Sequence, residues 1–435
     1  MKGTFVTAIL LALASSTMAA DWDQFRGPFF NGSTDEANLP TDFSPSKNVV
    51  WAASLPGASA ATPIVSGDHV FVSSASSETD ELIAQAFDRE TGKSLWTHTV
   101  GTGVRRDSRS SYASPTPAAD GERVIFFFGS GELIAYSYDG EKVWERNIVE
   151  DYGDFAFQWT FSTSLVIYDG KLFLQVLQRD TPVSGRGFSD RKNESYILAM
   201  DPSTGETLWK QVRPSKAVAE SREGFTTPMP CVIDGKPQLV VIGGDAITGH
   251  DLEDGEEIWR WGTWNPTRIG HWRHVPSPIV GANIALICAP KKDPVYAIKL
   301  GGEGELSNDD VAWVSSENRQ LTSDVPTPAF YDGDFFVLSD VTNSLLRIDP
   351  KTGQAKWTAK TPRGPKFEAS PLVADGKIYC INFSGDVVIY DAESGKEINS
   401  ISMDEPSDDP VRSSVIAASG QLFVRTNSKL YCIAN

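Results

Sequence analysis

Residues 270–274 read Gly-His-Trp-Arg-His and hold two of the chain's five histidines. Histidines three apart, such as His271 and His274, bind zinc when a helix turns them to one side and further ligands join them. Nothing around this segment reads as a helix or supplies those ligands, so no metal site is expected. Trp272 and Arg273 suggest other chemistry: an aromatic surface beside a cation, suited to an anionic or hydroxylated ligand. Plain loop packing is the competing account. The same mixture recurs along the chain, in Arg109 and Tyr112, in Trp159, in Arg222 and Glu223, in Asp324, in Lys366 and Glu368, and in Arg412. Arginine suits carboxylate or phosphate, and a basic mouth on an acidic body focuses anions. The interleaved acids could instead simply neutralise the arginines. Acid–base chemistry would need a carboxylate pair at a defined separation. No nucleophile elbow, phosphate loop or dinucleotide fingerprint in strand–helix context is found, so the catalytic residues stay unassigned.

What could gather these segments is a repeat. Residues 368–398 show its pattern: Ser-Pro before an apolar run, an Asp-Gly turn, an alternating strand, a Ser-Gly turn, a third strand, and a Gly-containing turn into a fourth. Asp-Gly or Ser-Gly between alternating apolar runs is a hairpin signal. One unit is therefore a four-stranded antiparallel meander, the size of one propeller blade. The opening Ser or Thr recurs at Thr62, Ser114, Ser164, Thr227, Ser277, Thr327, Ser370 and Ser414. The closing Trp recurs at Trp51, Trp96, Trp144, Trp209, Trp259, Trp313 and Trp357, mostly a few residues after a turn Gly; Trp313 lacks that Gly, and Asn399 stands where an eighth Trp would. These Trp residues are read as structural, each covering the seam to the next blade.

The expected fold is all-β: an eight-bladed β-propeller of four-stranded antiparallel blades. Residues 49–55 form a lone strand, and three strands follow Ser414. The last blade is thus expected to combine an N-terminal strand with C-terminal strands, which removes the open sheet edge. The division is a signal peptide at 1–20, an irregular lead-in at 21–48 and one propeller at 49–435. Innermost strands line a propeller's channel, so the segments before each Ser/Thr should gather at one mouth. The insertion at 179–193 should lie on that face.

The net charge of −18 and the lack of a basic tail argue against nucleic acid. Lys2 followed by an apolar run and a small-residue cleavage site predicts export to the periplasm or outside, as a soluble monomer. The run is too short to span a bilayer, and no Cys follows it to carry a lipid. Cys231, Cys288, Cys380 and Cys432 sit in apolar runs; they read as buried thiols, with a Cys380–Cys432 pairing as the alternative.

The pattern A-x-D-x-x-T-G-x-x-x-W, best kept at residues 86–96, 199–209 and 348–357, resembles the repeat of the pyrroloquinoline quinone (PQQ)-like propellers. That family includes quinoprotein alcohol dehydrogenases and the BamB outer-membrane assembly lipoprotein, both eight-bladed. The opening Trp-Asp-Gln-Phe-Arg-Gly-Pro at 22–28 resembles the start of many secreted members. The resemblance covers nearly all of residues 21–435. It implies either a BamB-like scaffold for a protein partner, small molecule or glycan, or a dehydrogenase using PQQ with Ca²⁺. In the second case Trp159 or Trp272 would stack on the quinone and Glu223, Asp324 or Glu368 would hold the ion. The chain lacks the adjacent cysteines of the dehydrogenases, a haem-attachment motif and the lipidated N-terminal Cys of BamB. The expectation is a binding scaffold with its site at the channel mouth; the alternatives are the quinoprotein oxidoreductase and a carbohydrate-binding or carbohydrate-active propeller.

Overall fold

The computed structural model describes residues 21–435, apart from 106, 263, 407 and 408. The expected signal peptide lies outside the described residues. No described helix is long and apolar enough to cross a membrane.

Eight sheets form the ring, antiparallel except for one short outer strand, Gly304–Glu305, added in parallel to blade 4. Blades 1 to 7 cover residues 64–102, 118–147, 166–212, 229–261, 279–314, 329–360 and 372–402. Blade 8 takes three strands from 416–433 and its outermost strand, Val49–Ser54, from the start of the chain. Trp51 pairs with Cys432 and Ser54 with Lys429, so both ends of the chain are tied into one sheet. The two middle strands of each blade are buried along most of their length, as in Phe335–Leu338 and Val387–Tyr390. The fourth strand alternates partly buried and exposed positions, with Trp357 and Ala359 half-buried between exposed neighbours.

Two devices join neighbouring blades. The first is a chain of hydroxyls around the channel. The amides of Thr62, Thr116, Ser164, Thr227, Ser277, Thr327 and Ser370 each donate to the hydroxyl of the equivalent residue in the next blade, at 2.9–3.1 Å. Seven of the eight seams are linked this way. Each bond satisfies a buried amide that has no strand beside it. In blade 2 the member is Thr116, not the expected Ser114. Ser114 instead closes a local turn, its Oγ accepting from Ser111 N.

The second device pairs the Trp of one blade with the Gly of the next. Trp51, Trp96, Trp144, Trp209, Trp313 and Trp357 lie against Gly92, Gly140, Gly205, Gly255, Gly353 and Gly395. Each indole Nε1 donates to a carbonyl of the same turn, at 2.8–3.1 Å. These glycines have φ of +68° to +86° and lie close to ring atoms, so a side chain is disfavoured on both counts; Gly395, for example, has φ +69°. The two irregularities of the repeat now have one cause. Blade 5 lacks the turn Gly, so Trp259 of blade 4 has no seat there. It turns into its own blade, donates to Gln238 Oε1 at 2.9 Å and is buried there, while its backbone pairs with Gly304 of the added strand Gly304–Glu305. Trp259 therefore departs from the expected seam role. Blade 8 has a chain break where its turn Gly would be, and blade 7 carries Asn399, whose side chain donates to Thr41 O at 2.9 Å.

The lead-in is a plate across the face opposite the inter-blade segments. Trp22 O and Asp23 O accept from Val65 and Ala119, and Gln24 Oε1 from Ile167. Arg26, fully buried, donates to Pro328 O at 2.6 Å and Pro371 O at 3.0 Å. Gly32 O accepts from Val373, and Glu36 takes the amides of Ser419 and Gly420. One short segment thus touches blades 1, 2, 3, 6, 7 and 8, and Phe25 projects into the channel. All four cysteines are free thiols, so the Cys380–Cys432 alternative does not hold. Burial pushes the Cys231 and Cys432 thiols up to about 12.

Candidate functional site

The channel is blind. Its floor is Phe25, its wall is the hydroxyl ring, and its mouth carries Arg109, Trp159, Phe225, Arg273, Glu368 and Arg412. The cavity is about 160 Å³. A wider cleft of about 610 Å³ opens beside it, and the two share Ala60, Arg109, Ser110 and Arg412.

Arg273 is placed by a small zip of three inter-blade segments. Gly224 N donates to Leu177 O at 2.9 Å, Phe225 N to His274 O at 2.9 Å, and His274 N to Glu223 O at 3.2 Å. A Cβ on Gly224 would meet Leu177 Cδ1 at 3.1 Å, a tight contact that Leu177 would have to relieve by a small shift. The zip turns His274 inward and Arg273 toward the channel. Arg273 is only 8% exposed. Among the described residues its guanidinium makes no hydrogen bond, and its nearest carboxylate oxygen, Glu220 Oε1, is 3.9 Å away. That oxygen already accepts from Trp159 Nε1 at 3.0 Å. A buried cation without a hydrogen-bond partner is costly, and this one faces a cavity.

Across the mouth, Glu368 is the carboxylate of the lining. Its side chain is 3% exposed and is met by Arg412 at 3.0 Å, Arg109 at 3.6 Å and Lys366 at 3.9 Å. Cations therefore outnumber acids at the mouth. Arg109 sits on a loop fixed by Asp107, which accepts from Arg109 N and Ser110 N and from Thr160 N and Oγ1. The guanidinium of Arg109 makes no hydrogen bond among the described residues.

The remaining candidates lie elsewhere. His271 is exposed on the surface. His274 is in the core against Trp264, and burial pushes it down to about 3, so it is neutral. The zinc account of the pair fails with it. Trp272 packs into the cluster around Trp261 and Trp264. Tyr112 packs between blades 1 and 2. Arg222 donates to Ser215 O and Ala217 O. Glu223 is buried beneath the insertion, with Oε1 accepting from Arg179 at 2.5 Å and from Gln158 N at 3.1 Å. Burial, against the opposing pull of Arg179, pushes it up to about 7. Asp324 accepts from Lys291 N at 2.9 Å, whereas Lys366, 3.9 Å from Glu368 at the mouth, also lines an outer depression. Phe25 and the hydroxyl ring were not read as site residues. The ring was visible as repeat-opening residues, but nothing local marked Phe25.

The family described as outer membrane protein assembly factor BamB matches residues 43–177 and 193–435. The chain belongs to that family. A polyvinylalcohol dehydrogenase from a Pseudomonas species is 24% identical over 74% of the chain. The chain spans 48% of that relative's length. Among solved structures, BamB from Moraxella catarrhalis superposes with a TM-score of 0.57 at 13% identity, covering 88% of this chain and 99% of its own. The quinohemoprotein alcohol dehydrogenase from Comamonas testosteroni gives 0.64 at 13%, covering 95% and 80%. At these identities the structural likeness speaks to the fold.

Proposed function

We propose that the protein is an exported binding propeller whose blind channel receives an anionic group of a ligand or partner. The observation that carries this reading is Arg273: a buried guanidinium, without a hydrogen bond among the described residues, facing a cavity. An incoming carboxylate would supply the missing acceptor, and Arg109 and Arg412 add positive potential on a chain of net charge −18. Trp159 and Phe225 give the group an apolar wall.

The quinoprotein alternative fits less well. A divalent ion beside a quinone needs several oxygen ligands, carboxylates above all. The lining offers Glu368, already engaged by three cations. Among the described residues no three His, Cys, Asp or Glu side chains are grouped for a metal. The cavity is also below the roughly 300 Å³ at which pockets enclose a drug-sized ligand. The test is a thermal shift and absorbance comparison of citrate, PQQ, and PQQ with CaCl₂. Citrate should raise the melting temperature, and calcium should add nothing to any effect of PQQ. A calcium-dependent quinone band with a rise in melting temperature would favour the oxidoreductase.

A further inference from the structure

The channel does not end at its mouth. Arg109 and Arg412 belong both to the channel and to the cleft beside it, which is lined by segments of blades 8, 1 and 2. At about 610 Å³ the cleft is within the range that holds a drug-sized ligand. Its walls are small residues such as Gly57, Ala58, Ser59 and Ser111; Asp409 also lines it, as does Asp107, whose carboxylate is taken up by Arg109 N, Ser110 N and Thr160. Among the described residues no aromatic ring lines it, so these offer a sugar or planar ring no stacking surface. Small walls with hydroxyls and amides suit a chain that brings its own alternating donors and acceptors. Two groups at the cleft have hydrogen-bonding capacity left for a ligand, one of them Arg109, half exposed and 3.6 Å from Glu368. The Arg109 guanidinium makes no hydrogen bond among the described residues, and the Ser111 hydroxyl, on a residue 7% exposed, is buried without one.

We infer that the cleft and channel together bind the C-terminus of an extended polypeptide. Its last residues lie along the cleft, and its terminal carboxylate reaches Arg109 and Arg412 at the channel edge. This rests on the anion-binding reading of the mouth and adds the class of ligand. Recognition of a chain end by a cationic pocket is a known economy: one charge fixes register, and main-chain groups supply the contact along the groove. Glu368 sits on the far side of the two arginines and holds them in place, so the ligand need not displace it.

The experiment is calorimetric titration of the full chain with three probes: a hexapeptide of Ala and Ser with a free C-terminus, the same peptide amidated, and acetate. The free acid should bind at least about tenfold more tightly than the amide, a difference of about 1.4 kcal/mol. Ala58→Trp should fill the cleft and weaken the free acid about tenfold or more, leaving acetate unchanged. Ser77→Trp, on another part of the cleft wall, repeats the test should the first variant fold poorly. Arg412→Gln should weaken peptide and acetate alike. Equal binding of acid and amide would overturn the inference, as would a peptide no tighter than acetate. Acetate binding that depends on Arg412 would in that case leave the anionic mouth standing. Failure of both acetate and peptide would overturn the mouth as well.

Discussion

Arg273 and Glu220 face each other across 3.9 Å without closing a hydrogen bond, and the same carboxylate oxygen accepts from Trp159. The arrangement leaves one buried guanidinium available. If it is kept for a ligand, its removal should not harm the fold. Removing a buried cation that makes no hydrogen bond relieves its desolvation cost, and Glu220 keeps its hydrogen bond from Trp159. Arg273→Met should therefore unfold at the same or higher denaturant concentration than the wild type. A loss of several kcal/mol in a guanidinium titration would mean that Arg273 is a structural staple.

The blade seams make a sharper stability prediction. A Cβ on Gly395 would meet Trp357 Cε3 at 2.6 Å, whereas a Cβ on Gly420 would meet nothing within 4 Å. Both glycines have positive φ, +69° and +72°. Gly420→Ala should cost only the left-handed backbone penalty, about 1–2 kcal/mol. Gly395→Ala should cost that plus the displacement of the indole, about 1–3 kcal/mol more. Equal losses by chemical denaturation would show that the Trp–Gly contact does not hold the seam.

Glu223 predicts a pH dependence. Its folded value, about 7, is above the ordinary 4.5 because burial outweighs Arg179. The folded chain therefore holds this proton more tightly than the unfolded chain. The resulting stability is complete below about 4.5 and is lost as pH rises through about 7. Gln imitates the protonated acid and cannot titrate. The stability of Glu223→Gln relative to wild type should rise between pH 5 and 8 by a few kcal/mol. A difference that is flat across that window would place Glu223 as an ordinary carboxylate.

The ring was legible because its signals are local and repeated: a hairpin turn, an alternating strand and a closing Trp are each written within a few residues. The blade built from both chain ends followed from counting the strands left over. The Trp and Gly were seen together but assigned to one unit, when the contact runs from one unit to the next. That is why Trp313 and Asn399 looked anomalous, while Trp259, with its Gly in place, hid the true exception. The mouth was legible in position, since Arg109, Trp159, Arg273, Glu368 and Arg412 do converge. Side-chain direction was not. His271, Arg273 and His274 are neighbours, yet one faces solvent, one the channel and one the core. The turn rests on the backbone of Gly224 and on its contact with Leu177 from another blade. The plate was missed for a similar reason: its partners, from Val65 to Ser419, lie far away in sequence and carry no shared motif.

The most direct test is calorimetric titration of wild type and Arg273→Met with citrate at low salt. The account predicts saturable binding to the wild type, weakened at least about tenfold in the variant, a loss of about 1.4 kcal/mol. Equal affinity of the two proteins, or no binding to either, would contradict it.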